Sequence, residues 1–86
     1  MRKAEFITHL DALRGMADKL PEDIELNYGC IDETCGIAHT RLRIGSGLRQ
    51  FAEACGAAPV DIQPVMEQCL SFQVDGVEVF QYEKTV

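Results

Sequence analysis

Three side chains able to bind metal or attack a substrate fall within ten positions of one another: Cys30, Cys35 and His39. Thiolate and imidazole are good zinc ligands, and Cys55 or Cys69 could complete a closed structural site of three cysteines and one histidine. The spacing speaks against that site, because structural zinc centres usually present two tight ligand pairs and here one loose pair precedes a single histidine. The plainer reading is of small buried side chains beside a loop, with no resident cofactor. The same residues could be drawn as a thiol activated by His39. No catalytic signature surrounds them, however, and no orienting acid is evident beyond Asp32 and Glu33, so no enzyme activity is expected. Gly45-Ser46-Gly47 sits between a strand and a helix as phosphate loops do, but it lacks the lysine and the full glycine pattern and reads as a turn with an N-cap.

A second constellation, Arg41, Arg43, Phe80 and Tyr82, depends on the elements that carry it. Leu70 to Tyr82 reads LSFQVDGVEVFQY, two runs of apolar and β-branched residues joined by Asp75-Gly76. An Asp-Gly loop suits the positive backbone angles of a type I-prime turn, which makes this a hairpin with Val74 opposite Val77, Phe72 opposite Val79 and Leu70 opposite Gln81. Leu70, Phe72, Val74, Val77 and Val79 then form a core stripe, and Ser71, Gln73, Glu78, Phe80 and Tyr82 share the other face.

Residues 3–19 read as an amphipathic helix with Phe6, Leu10, Leu13, Ala17 and Leu20 on its apolar stripe, ended by Pro21. Residues 24–28 alternate as a strand with Ile24, Leu26 and Tyr28 on the buried side, and residues 37–44 alternate as a second strand after the loop CIDETCG. Ser46 is the expected N-cap of a second helix over 47–55, ended by Gly56. The connector AAPVDIQP is punctuated by Pro59 and Pro64, with a helical turn after Asp61 as one option, and VMEQC suits either a short helix or, the reading preferred because no breaker precedes Leu70, a backward extension of the hairpin strand to Val65. The order α-β-β-α-β-β predicts an α+β domain, with two helices packed on one face of a four-stranded antiparallel sheet. Its outer face would carry Glu25, Asn27, His39, Arg41, Arg43, Ser71, Gln73, Glu78, Phe80 and Tyr82.

The 86 residues fit one domain spanning 1–86, and a hydrophobic content of 47% is ordinary for a globular chain. No long apolar run occurs, and Glu5, Thr8 and His9 interrupt the one at the N-terminus, so neither a membrane span nor an export signal is expected. Without export the four cysteines are expected to stay reduced in the cytoplasm.

The formal charge of −6 is uneven. Glu22, Asp23, Glu25, Asp32 and Glu33 follow one another without a basic residue, then Arg41, Arg43 and Arg49 follow without an acidic one. An acidic total opposes nonspecific nucleic-acid binding and favours a protein partner. The leading expectation is a small acidic protein that acts by binding another macromolecule, the manner in which phage and mobile elements use inhibitors, an analogy only. Arg41, Arg43, Phe80 and Tyr82 would form a contact face for a partner or a second copy, and the five acids a negative patch able to enter a basic groove. The rival readings are the zinc module of Cys30, Cys35 and His39, and a single-stranded nucleic-acid binder that stacks bases on the open sheet face.

Overall fold

The structure, a computed structural model, describes residues 1–63 and 67–84. The chain runs α1 (Lys3–Lys19), β1 (Leu26–Thr34), β2 (Ile37–Ile44), α2 (Leu48–Ala54), β3 (Val60–Gln63), β4 (Glu67–Val74) and β5 (Val77–Lys84). The α+β class is as expected. The sheet differs from the expectation in having five strands, ordered β1-β2-β5-β4-β3, and in being mixed. Its two hairpins, β1-β2 and β4-β5, are antiparallel, and they join side by side through a parallel β2-β5 pairing over Arg41–Arg43 and Glu78–Phe80. Parallel neighbours need a long crossover, and the whole stretch of α2, β3 and β4 supplies it. The segment expected as a connector, with a helical turn after Asp61 as one option, instead forms the edge strand β3, antiparallel to β4. Of the proposed extension back to Val65, strand structure begins at Glu67, while Val65 and Met66 lie outside the described residues.

The β4-β5 register is the one the Asp-Gly turn implied, with Val74, Phe72 and Leu70 opposite Val77, Val79 and Gln81. Asp75 and Gly76 have φ of 54° and 78°, the left-handed pair a type I-prime turn requires. The other hairpin turns the same way. The expected loop over 30–36 is strand except for Cys35 and Gly36, whose φ values are 53° and 77°. Cysteine seldom adopts this conformation, so its neighbours impose it: the β1-β2 ladder, closed down to Thr34 opposite Ile37, leaves two residues to reverse the chain.

Both helices lie on one face of the sheet. Met16 of α1 and Leu48, Phe51 and Ala52 of α2 form one core with Leu42 and Ile44 of β2, Leu70 and Phe72 of β4, and Val77 and Val79 of β5. A side chain as fully buried as Met16 contributes about 1.5–3 kcal/mol. The α1 stripe is rotated from the expected one: Met16 is its deepest residue, with Ala12, Leu13 and Leu20 beside it, and Phe6 and Leu10 are exposed. The rotation follows from the surface α1 meets. It lies across β1, β2 and β5, and its first half overlies the part of the β1-β2 hairpin beyond the β2-β5 pairing, where His9 Nδ1 sits 3.1 Å from the Thr40 hydroxyl. At Gly29 the Leu13 side chain comes so close that an added Cβ would lie 3.2 Å from it.

The start of α2 is also built differently. Gly47, not Ser46, is the N-cap, in a left-handed conformation without a side-chain cap. The Leu48 N–H instead donates to Gln81 Oε1 of β5 at 2.9 Å. This contact explains why a glutamine shares the buried stripe of that strand with Val77 and Val79. Gly56, at φ 72°, follows the helix end as expected.

Candidate functional site

Because the helices share one face, the other carries whatever alternate residues of the strands present. The register aligns Tyr28, Arg43, Phe80, Ser71 and Val60 in a single row across all five strands. At about 4.8 Å per strand the row is roughly 19 Å long. Arg41 and Glu78 stand in the row beside it, between Cys30 and Gln73.

The row is packed edge to edge. Phe80 is its floor, only 6% exposed, with Tyr28 and Tyr82 meeting it in T-shaped contacts at ring-centroid distances of 6.1 and 5.8 Å. The Arg43 guanidinium lies over the Tyr82 ring at 4.7 Å from its centroid and near Tyr28 at 6.0 Å. Each such contact offers about 0.5–1 kcal/mol where water reaches it. Phe80 and Tyr82 are thus on the face assigned to them, but Phe80 supports the surface and Tyr82, Tyr28 and Arg43 present it. α1 packs on the opposite face of the sheet and leaves these rings uncovered. Cys69 of β4 lies opposite Tyr82.

Tyr28 is the participant that sequence reasoning missed. Alternation from Ile24 placed it on the core side, but the pairing of β1 with β2 shifts between Leu26, opposite Ile44, and Tyr28, opposite Arg43. Such a bulge reverses the facing of every later residue in the strand. The strand ladder sets it, and no local residue signal marks it.

Electrostatically the face is unbalanced. The Nε atoms of Arg41 and Arg43 are both buried and lack a hydrogen-bond partner. Among the described residues neither guanidinium lies within 4 Å of a carboxylate, although Glu78 occupies the register position beside Arg41. A cation edge that has lost water without gaining an acceptor costs free energy. Each residue is half-buried, with the Nε edge of its guanidinium in the buried part.

The expected acidic patch is divided. Glu22, Asp23 and Glu25 precede β1, while Asp32 and Glu33 lie near its far end, roughly 20 Å away at the rise of an extended strand. Glu33 also turns toward the helix face, where its Oε2 is 3.1 Å from the Met1 ammonium.

The cysteine-histidine set does not converge either. Cys30 is opposite Arg41, His39 is opposite Asp32, and Cys35 occupies the turn about 15 Å along the strand from Cys30. Ligands to one zinc ion each lie about 2–2.3 Å from it, so Cys30 and Cys35 cannot share one in this arrangement. Cys55 packs with the helix-side core and Cys69 is paired with Tyr82, so the sheet separates the two candidates for a fourth ligand. Among the described residues no group of three or more Cys, His, Asp or Glu side chains could hold a metal ion, and no disulfide joins the cysteines.

Compared with protein-family models, with curated proteins and with solved structures, the chain shows no significant match to any of them. Among the described residues no helix is long and apolar enough to cross a membrane.

Proposed function

We propose that this chain is a non-enzymatic cytoplasmic binding protein, and that the outer face of its sheet, Tyr28, Arg41, Arg43 and Tyr82 over Phe80, receives a carboxylate-bearing segment of a protein partner. The observation that carries the reading is the pair of guanidinium groups with buried, acceptorless Nε atoms, in a chain whose 14 acids outnumber its 8 basic residues. So acidic a molecule has no shortage of anions with which to neutralise two arginines, yet among the described residues neither has a carboxylate within 4 Å. The guanidinium fork matches a carboxylate, and the flanking tyrosines supply rigid amphipathic contact area.

Phosphate is the rival anion, and rings beside an arginine would suit a stacked base. Two cations answer to only about two phosphates, and the surrounding field is negative, so single-stranded nucleic acid is the weaker reading. The negative field has a kinetic signature. An acidic partner is repelled at long range, so its association speeds up as salt screens the repulsion, whereas a basic partner drawn to the acids would associate more slowly.

The chain contains two tyrosines and no tryptophan, and Tyr28 and Tyr82 are both on this face. Intrinsic tyrosine fluorescence therefore reports on the site directly. Titration with poly-glutamate should give a saturable change that the Arg41→Met/Arg43→Met variant loses, while oligo-dT responds weakly. A response to poly-lysine alone would move the function to the acidic residues, and a stronger response to oligo-dT would favour the nucleic-acid reading.

A further inference from the structure

The two edges of the sheet are not alike. β3 has four residues, follows Pro59 and precedes Pro64, so it is short and blunted by residues that cannot donate to a ladder. β1 has nine residues, none of them Lys, Arg or Pro, and its outer edge pairs with no described strand. The bulge between Leu26 and Tyr28 and the inward-turned Glu33 blunt it in part, but from Tyr28 to Thr34 its ladder with β2 is regular, and natural sheets seldom leave so long an edge open unless it is used.

Beside this edge is apolar surface that the fold does not cover. Phe6, Ile7 and Leu10 on α1 and Leu26 and Tyr28 on β1 are between 44% and 48% exposed. Leu13 meets Gly29, so the flank of α1 that carries Phe6 and Leu10 is the one that overhangs β1.

We infer that β1 pairs antiparallel with β1 of a second copy of this chain, giving a two-fold dimer with one continuous ten-stranded sheet. The charges of the strand select this partner. Asp32 and Glu33 are in its second half, and Leu26, Asn27 and Tyr28 in its first half are uncharged. An in-register parallel neighbour would stack acid against acid, whereas an antiparallel one sets each acid opposite the uncharged half. That is the arrangement a two-fold axis imposes.

Dimensions agree. Two α1 helices lying over β2 and its symmetry mate would be three strand spacings apart, about 14 Å, wider than the 8–10 Å of bare helix packing. Phe6 and Leu10 project into that gap. On the helix side Phe6, Ile7, Leu10 and Leu26 amount to roughly 330 Å² of apolar surface per copy, about two-fifths of the roughly 800 Å² per partner of a standard interface, to which the paired strand backbones add. Pairing would also join the two outer faces, so that a dimer presents two Tyr28-Arg43-Phe80 rows in tandem.

The inference does not depend on what the outer face binds. Sedimentation equilibrium of the wild-type chain should show a dimer, and Phe6→Lys/Leu10→Lys should raise its dissociation constant by about a hundredfold or more, the loss expected from removing central anchors. Circular dichroism should be unchanged, because both side chains are already exposed. If that double variant does not fold, Leu10→Lys and Leu26→Lys are to be measured singly. Hydrogen exchange should show amides of β1 protected more strongly as protein concentration rises. A wild-type chain that stays monomeric at submillimolar concentration would overturn the inference. A dimer that persists in the lysine variants, or one whose β1 amides exchange independently of concentration, would also overturn it.

Discussion

Replacing Arg41 and Arg43 separates what holds the fold from what the outer face is for. Each buried Nε without an acceptor costs about 1–3 kcal/mol. Arg43 recovers about 0.5–2 kcal/mol from the tyrosine rings on either side of it. No such ring contact offsets the cost at Arg41. Methionine keeps much of the aliphatic stem that packs on the sheet and removes the polar edge. Arg41→Met should therefore stabilise the domain by about 1 kcal/mol, and Arg43→Met should leave it within about 1 kcal/mol of wild type. In a domain of this size each kcal/mol moves Tm by about 4–8 °C. The assay is thermal unfolding followed by circular dichroism, run beside the tyrosine-fluorescence titration on the same samples. The expected pattern is opposed, with Tm held or raised and binding of the anionic probe lost. A fall of several degrees in Arg41→Met would refute the reasoning, since it would mean that the guanidinium helps hold the fold and is not a group kept for a partner.

Gln81→Leu should cost about 2 kcal/mol in chemical denaturation, because it leaves the first N–H of α2 buried without its 2.9 Å acceptor, and an unchanged denaturation midpoint would show that the helix start does not need that bond. Lys19 Nζ lies 3.0 Å from Asp75 Oδ2, and this hydrogen bond, followed by the charge of Asp75, raises the Lys19 pKa above its ordinary 10.5. The sign is set by that rise: the stabilisation is complete below the ordinary value and is lost as pH climbs through the raised one. Asp75→Asn, which keeps a side chain suited to the left-handed turn, should flatten that alkaline part of the profile of Tm against pH. The effect should be small and sensitive to salt, as suits an exposed pair, and a variant whose alkaline profile matches wild type would remove the pair from the explanation.

What the sequence by itself determined is what short-range chemistry controls. Pro21 ends α1 at Lys19, Gly56 takes the left-handed position after α2, and alternation over Ile37–Ile44 coincides with β2. Asp75-Gly76 sets a register in which every rung from Leu70 to Gln81 is as the turn requires. Arg41, Arg43, Phe80 and Tyr82 could be assigned to one face because each lies in a strand whose alternation is uninterrupted. Tertiary structure decided the rest. Cys35 accepts a positive φ, and CIDET becomes strand, because a neighbouring strand satisfies their backbone groups, a cooperative gain that no residue type announces. The proline-flanked segment Val60–Gln63 is strand because β4 offers it an edge. The parallel β2-β5 contact joins residues more than thirty positions apart in sequence. Tyr28 reaches the outer face only through a shift in the ladder, so the row it forms with Arg43 and Phe80 exists once three strands have assembled. Facing is a property of pairing, and a period of two residues turns a shift of one into a change of side.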